Sequence, residues 1–381
     1  MRYHEKTIDG VNIQVASFLP TDGVVEEIHL MLHVIDTDEN LEGQCRRLVI
    51  AVFKQMDELC GGHPVAVFGR CFLSDISNGE EVASHILSEH LSCPISYAGQ
   101  PPLDGSKVAL WLQLQSEGVI GDDGWMYCEH NGYRHYHTVN VGEGNSSSYK
   151  QTMVMLLSQK EELAKRHGDF LHHCVRTWFI VRDIDVNYSG VVKARREFFF
   201  RNGLTPHSHF IASTGIGGSS CRPTTKVLLD AHYIVGMAEG QIHYLYAKSH
   251  LNPTYEYGVT FERGMYMDYG DRREVYISGT ASIDNKGNIL HAGDVVRQTE
   301  RACENVAALL EEADCHFDDV AQMIVYLRDV ADYPRVKALF EEKFPDIPKQ
   351  IVLAPVCRPG WLVELECIAI KKADNQRYKD Y

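Results

Sequence analysis

No stretch of this sequence stays apolar for the ~20 residues that a bilayer-spanning helix needs. The basic residue or two near Met1 lead into no apolar run of the kind a secretory leader carries. Both absences predict a cytoplasmic protein that makes no membrane contact. Clusters of lysine and arginine are missing too, and the net charge is −15, so a phosphate backbone finds no complementary surface and no nucleic-acid partner is expected. The 11 cysteines form no CxxC pair and follow no framework spacing, which predicts reduced thiols. Histidine is plentiful, and His135 with His137, His172 with His173 and His207 with His209 stand close in sequence. None of these pairs sits in an HExxH or beside a CxxC, so neither a metal nor any other cofactor is expected. A GxSxG nucleophile elbow and a GxxxxGK[ST] phosphate loop are likewise absent.

What is present is ordinary globular material: 381 residues, 44% hydrophobic and 23% charged, enough for two or three domains. The chain also repeats itself. Val181-Arg182-Asp183 with Val191-Val192-Lys193-Ala194 matches Leu327-Arg328-Asp329 with Val336-Lys337-Ala338, each reading as a strand, an Arg-Asp turn and an amphipathic helix. Upstream, Gln151-Thr152 and Gln298-Thr299 each open another helix, and the two offsets agree to within one residue. A fainter copy comes first, with a helix over 45–59, strand and turn residues over 65–76 and a second helix over 81–91. Alternating strands close the copies at 107–114, 226–233 and 361–370.

The unit reads β-β-α-β-α-β, an α/β (α+β) module repeated three times: 1–118, 119–250 and 251–381, with linkers near Gly118–Asp123 and near Asn252-Pro253. A sheet with both helices on one face leaves its other face bare, and three such sheets can bury those faces against one another around a shared axis. A chain closed in this way is expected to be a monomer, or a dimer of pseudo-trimers.

The third copy resembles the Rid (YjgF-like, endoribonuclease L-PSP-like) family. The resemblance is carried by Val275-Tyr276-Ile277-Ser278-Gly279-Thr280-Ala281, Gly293-Asp294, Gln298-Thr299, Glu304-Asn305-Val306 and Val363-Glu364-Leu365-Glu366. It implies three Rid-like (chorismate-mutase-like) units closing into an intramolecular pseudo-trimer, with ligand clefts between neighbours, as in the family's homotrimers.

Further stretches resemble the chorismatases, Rid-fold enzymes that remove pyruvate from chorismate. They are Val175-Arg176-Thr177-Trp178, Ala194-Arg195-Arg196, Ala212-Ser213-Thr214-Gly215-Ile216-Gly217, Tyr255-Glu256-Tyr257-Gly258 with Phe261-Glu262-Arg263, and Cys357-Arg358. The chain departs from these patterns in two places. Between Tyr257 and Phe261 it has only Gly258-Val259-Thr260 where the chorismatase pattern has a Pro-Arg-Ser-Pro stretch. Ahead of its last strand, where Rid members hold a carboxylate-binding arginine, it offers Lys349 or Gln350.

The candidate site follows. Glu364 occupies a closing-strand position where the earlier copies carry apolar residues, near Ala109 and Leu228, and a carboxyl in a dry cleft suits a general acid. Glu366 shares its face by period-two alternation. The resemblance places Cys357 beside Glu364 as the second catalytic candidate. It implies substrate binding by Arg358, Arg195, Arg263, Tyr257, Thr214, Gly215 and Thr280. Arg195 and Arg196 are helical neighbours, so only one can face a cleft, and Arg195 matches the family position. The expected ligand is a small anionic metabolite. The leading function is release of pyruvate from chorismate or a related enol-ether dicarboxylate by a chorismatase-like lyase/hydrolase, giving a hydroxybenzoate or a dihydroxycyclohexadiene carboxylate. The alternatives are a Rid-type enamine/imine deaminase and a non-catalytic metabolite-binding protein.

Overall fold

Short apolar runs in strict alternation bury one side chain toward a helix layer and the next toward the molecule's centre, and this pattern builds three similar sheets. The computed structural model describes residues 1–20, 25–59 and 64–381. The first unit contains β1 (Arg2–Ile8), β2 (Val11–Phe18), β3 (Glu27–Val34), α1 (Leu41–Glu58), β4 (Val65–Leu73), α2 (Ile76–Ser88), β5 (Ile95–Ala98) and β6 (Val108–Gln115). The second contains β7 (Val119–Asp122), β8 (Met126–His130), β9 (Tyr133–Gly142), α3 (Ser148–Lys165), the single turn α4 (Phe170–His173), β10 (Cys174–Val181), α5 (Ile184–Arg201), β11 (Ala212–Gly217) and β12 (Val227–Val235). The third contains β13 (Ile242–Leu245), β14 (Gly264–Asp268), β15 (Arg272–Ala281), α6 (Val295–Glu312), β16 (Val320–Leu327), α7 (Tyr333–Lys343), β17 (Lys349–Leu353) and β18 (Val363–Lys372).

Each sheet has six strands in one order: first, second, third, sixth, fourth, fifth. Neighbours are antiparallel except the last pair, which is parallel in all three sheets. The fourth strand of each unit carries a register shift at the same place: between Ala66 and Phe68, between Cys174 and Arg176, and between Val320 and Gln322. The unit is therefore β-β-β-α-β-α-β-β, one strand longer at each end than the alternation suggests. The added strands are short or lie at edges, so they lack the long period-two run that marks a strand. Two expected linkers are also part of the fold. Gly118–Asp123 includes β7, and Asn252 is buried, with its carbonyl accepting from Arg263 at 3.0 Å. The third sheet takes β13 from ahead of residue 251.

Side-chain alternation divides the two faces. On β6, Val108, Leu110, Leu112 and Leu114 pack with α1 and α2, whereas Ala109 and Trp111 point into a core shared by all three units. The helices start where short polar side chains bind free N–H groups: Asn40 on Gly43, Asp75 on Asn78 and Asp294 on Arg297.

The shared centre is polar as well as apolar. Glu366 on β18 accepts from Arg176 at 2.7 Å and from the Trp178 indole at 2.8 Å, both on β10. Arg70 on β4 lies 3.8 Å from Glu366 and donates to Asp230 on β12 at 3.0 Å. Register equates Trp111, Asp230 and Glu366: each is on the sixth strand, opposite Arg70, Trp178 and Ile324 of the fourth. Removing one member of a buried ion network leaves the others uncompensated, at about 3–5 kcal/mol. Glu366→Gln should therefore lower the denaturant midpoint sharply. An unchanged unfolding curve would show that the axis is not held by these charges.

His135, His137 and His232 also face the centre. His135 Nδ1 lies 3.1 Å from His232 Nε2, and His137 stacks on His232 at 4.1 Å. Burial pushes His135 down to about 4 and His137 to about 3, and holds His232 well below the usual imidazole range. The unfolded chain binds protons below the ordinary histidine value while the folded chain does not, so these groups cost stability as pH falls. Each costs up to about 1.4 kcal/mol per pH unit. Because buried carboxyls elsewhere act in the opposite sense, the clean measurement is a difference. Wild type should lose stability relative to His137→Gln between neutral pH and about pH 5, and parallel profiles would exclude the imidazole.

Candidate active site

The second and third units meet along α5 and β11 on one side and β15 and β18 on the other. Into this seam α5 sends Tyr188 and Arg195, β11 sends Ser213 and Gly215, and β18 sends Glu364. The 254–263 segment adds Tyr257, Phe261 and Arg263, and the loop before β18 adds Cys357, Arg358 and Trp361. Register confirms the comparison drawn from sequence: Glu364 stands opposite Tyr326 as Leu228 stands opposite Ile180 and Ala109 opposite Phe72.

Glu364 is 5% exposed. Burial first, and Glu366 next, push its carboxyl up to about 8, against the pull of Arg176 and Arg263. It is thus largely protonated near neutral pH. Glu366, two residues on, takes up the donors of the axis. Room for Glu364 depends on Gly279 in β15, since a Cβ there would lie 2.0 Å from Glu364 Oε1. A side chain on Gly215 would meet the Tyr188 ring at 2.6 Å.

Arg195 is 1% exposed. It donates to Ser213 Oγ at 3.3 Å, while its Nε and Nη2 have no partner among the described residues. The rings of Phe179 and Phe261 lie 5.6 and 5.8 Å from its guanidinium carbon. An unpaired, buried guanidinium is costly to keep and is suited to a carboxylate. Arg196 is exposed and bonds the Gly258 carbonyl instead. Arg263 is largely committed to Asn252, through the carbonyl and the side-chain oxygen. Arg358 stacks 4.9 Å over Tyr257 and 5.1 Å over Trp361. Cys357 is half-buried, and desolvation together with Glu364 pushes its thiol up to about 12, so it is a neutral hydrogen-bonding group rather than a nucleophile.

Two expected residues lie behind the wall. Thr214 bonds Glu366, accepts from Arg176 at 2.6 Å and from Gly279 N at 2.9 Å, and so ties the cleft to the axis. Thr280 is buried and donates to the Ser278 carbonyl at 2.8 Å, inside the irregular stretch of β15. The glycine-rich 213–218 stretch is mostly strand, as part of β11. Lys349 and Gln350 belong to β17 and line a different cleft. Tyr188, Phe261 and Trp361 also line the cleft, and the sequence does not mark them, because aromatics at such spacings read as core.

The cavity is about 40 Å³, room for a water or so. An organic ligand typically needs ~300 Å³ or more, so the cleft must widen to admit one. Among the described residues, no three His, Cys, Asp or Glu side chains converge as metal ligands do. No helix among them is long and apolar enough to cross a membrane.

The endoribonuclease L-PSP family model matches residues 263–371. A RutC family protein of Pyrococcus abyssi is 33% identical over 100 residues, 26% of this chain and 79% of its own length. The 3-aminoacrylate deaminase RutC of Acinetobacter baylyi is 31% identical over 97 residues, 25% of this chain and 77% of its own length. A crystal structure of a chorismatase superposes with a TM-score of 0.63 at 18% identity, covering 80% of this chain and 93% of that one. The last similarity extends well beyond the third unit, and at that identity it speaks for the fold. With its third unit carrying the sequence match and two more units repeating the same sheet, this chain belongs to the RutC (endoribonuclease L-PSP) family, in a chorismatase-like arrangement of three tandem units.

Proposed function

We propose that the cleft between the second and third units releases pyruvate from chorismate or a related enol-ether dicarboxylate. The observation that carries this reading is that one small cavity joins Glu364, a buried carboxyl pushed up to about 8, to Arg195, a buried guanidinium whose Nε and Nη2 have no partner among the described residues. An enol ether is activated by protonation at its methylene carbon, and a carboxyl held near the working pH is the group to supply that proton. Water adds to the oxocarbenium-like carbon and gives its proton back to Glu364, and the hemiketal collapses: the bond from that carbon to the ether oxygen breaks, the hemiketal hydroxyl proton passes to that oxygen, the ring keeps it as a hydroxyl and pyruvate leaves, unless the ring's own chemistry captures the centre first. Arg195 and Arg358 hold carboxylates, and Cys357 offers a neutral S–H at the reacting end. Positioning and proton transfer suffice for this chemistry.

Likeness to a 3-aminoacrylate deaminase favours a second reading: the same acid protonates the carbon of an enamine, and water then releases ammonia. Incubation with chorismate, assaying pyruvate and aromatic products, and in parallel with 3-aminoacrylate, assaying ammonia, separates the two. Ammonia without pyruvate would favour the deaminase, and neither product would favour a binding protein.

Glu364→Gln should lower turnover on chorismate by ~10²–10⁴-fold with little change in substrate affinity. Near-normal turnover would remove Glu364 from the chemistry. The same variant has a stability signature. The folded chain holds the Glu364 proton more tightly than the unfolded chain, so its stabilising effect is complete at acid pH and is lost as pH rises from the ordinary glutamate value through about 8. Glutamine escapes that loss. The variant should therefore be more stable than wild type by about 2–5 kcal/mol near pH 8 and indistinguishable near about pH 4.5, by urea unfolding at both.

Arg195→Met should raise KM for a dicarboxylate by roughly tenfold or more, since a charged hydrogen bond is lost. Its melting temperature should hold or rise, because an unpaired buried charge has been removed. A fall in stability with unchanged KM would mark Arg195 as a packing residue only.

A further inference from the structure

The family match ends at residue 371, and the residues beyond it are built into the fold. Residues 374–380 run exposed or half-buried over the outside, and then Tyr381 turns inward and is 2% exposed. Its side chain stands among residues of all three units. Gln115 of the first donates to its hydroxyl. His130 and His135 of the second lie 6.2 and 5.2 Å from it, ring to ring. Tyr269 of the third lies 5.0 Å away, and the Arg272 guanidinium carbon is 4.7 Å from the phenol ring.

The walls around the phenol are fixed by partners other than Tyr381. Arg272 donates to Asp271 Oδ2 at 2.9 and 3.1 Å, His135 is held 3.1 Å from His232, and Gln115 Oε1 accepts from the Cys128 thiol at 3.1 Å. The segment itself is held by few bonds. Gly270 N donates to the Lys379 carbonyl at 2.7 Å, Asn131 to the Asp380 carbonyl at 3.0 Å, and Tyr381 N to Asp271 Oδ1 at 2.9 Å. These bonds lie outside the β15–β18 ladder, which ends at Arg272 opposite Lys372. The segment passes so close to Gly270 that a Cβ there would lie 2.9 Å from both the Asp380 nitrogen and the Tyr378 carbonyl oxygen. A segment anchored by one buried aromatic and a handful of peripheral bonds can open while the sheets beneath stay paired.

We propose that residues 374–381 are a releasable clasp across the three units, and that Tyr381 is the resident occupant of a phenol-binding socket the units build together. Docked, the clasp covers His135 and Arg272 and ties the second unit to the third, with Gln115 adding the first. Withdrawn, it leaves a preformed space for one aromatic ring with one hydroxyl, and a free phenol takes its place.

Hydrogen exchange of the intact wild-type chain tests release. The Gly270 and Tyr381 amides, which close the clasp, should exchange roughly tenfold or more faster than the ladder amides of β15 and β18. Exchange at the ladder rate would mean that the segment leaves only when the sheets part, and would overturn the proposal. Calorimetric titration with p-cresol, which is the tyrosine side chain alone, tests the socket. Tyr381→Ala should melt at a lower temperature than wild type, bind one p-cresol per chain and regain stability with it, while wild type binds none. Toluene lacks the hydroxyl that meets Gln115, so it should bind roughly tenfold more weakly. Gly270→Ala keeps Tyr381 but crowds the segment above it, so it should speed exchange at Tyr381 and admit p-cresol more weakly than Tyr381→Ala does. That variant keeps the test open if Tyr381→Ala folds poorly. An unchanged melting temperature in Tyr381→Ala, no p-cresol binding in either variant, equal binding by wild type, or toluene binding as tightly as p-cresol would each overturn the proposal.

Discussion

Glu366 is the point on which the three sheets converge. It belongs to the third unit, its strongest partners Arg176 and Trp178 belong to the second, and Arg70, which links it to Asp230, belongs to the first. None of these charges tolerates burial alone. No unit can bury its bare sheet face with its charges satisfied until the others dock, and the polar axis thereby fixes which faces meet. The same anion reaches into the chemistry. Period-two alternation puts Glu364 on the same face as Glu366, and burial first, then the nearby Glu366, push the Glu364 carboxyl up. Thr214 joins the two regions, touching Glu366 on one side and the β15 backbone that frames Glu364 on the other.

Much of this was legible in the residues. The Arg-Asp turns and the Gln-Thr helix starts repeat because each unit solves the same packing problem, and long amphipathic helices announce themselves by period. Four- to six-residue parallel strands such as β5, β17 and β11 do not, since a short apolar run is equally a loop or a helix fragment. The first strand of the second sheet hid in a segment whose glycines and acids resemble a linker.

In the site, Glu364, Cys357, Arg358, Arg195, Arg263, Tyr257 and Gly215 share one cavity, as the motifs implied. Thr214 and Thr280 fall one layer behind, because a motif marks a stretch of chain and not which way each side chain points. Lys349 and Gln350 show a related limit. A strand at a sheet edge borders two seams, and only the assembled ring reveals which one it lines. The size of the cavity depends on how two units approach, which no local pattern encodes.

The three seams have gone separate ways. Between the first and second units, Ala98, Ile180 and Leu228 form an apolar plug, and Asn140 bonds the Tyr97 backbone twice, at 2.7 and 2.8 Å. Identical chains around a true threefold axis have no such freedom: any residue chosen for the centre appears in triplicate. Three glutamates at the Glu366 position would face one another with no distinct neighbours to oppose them, and like charges at that range repel. Joining the units end to end lifts the constraint. Tryptophan, aspartate and glutamate can occupy one geometric address at once, and the asymmetry of a single polypeptide becomes the source of its internal charge balance.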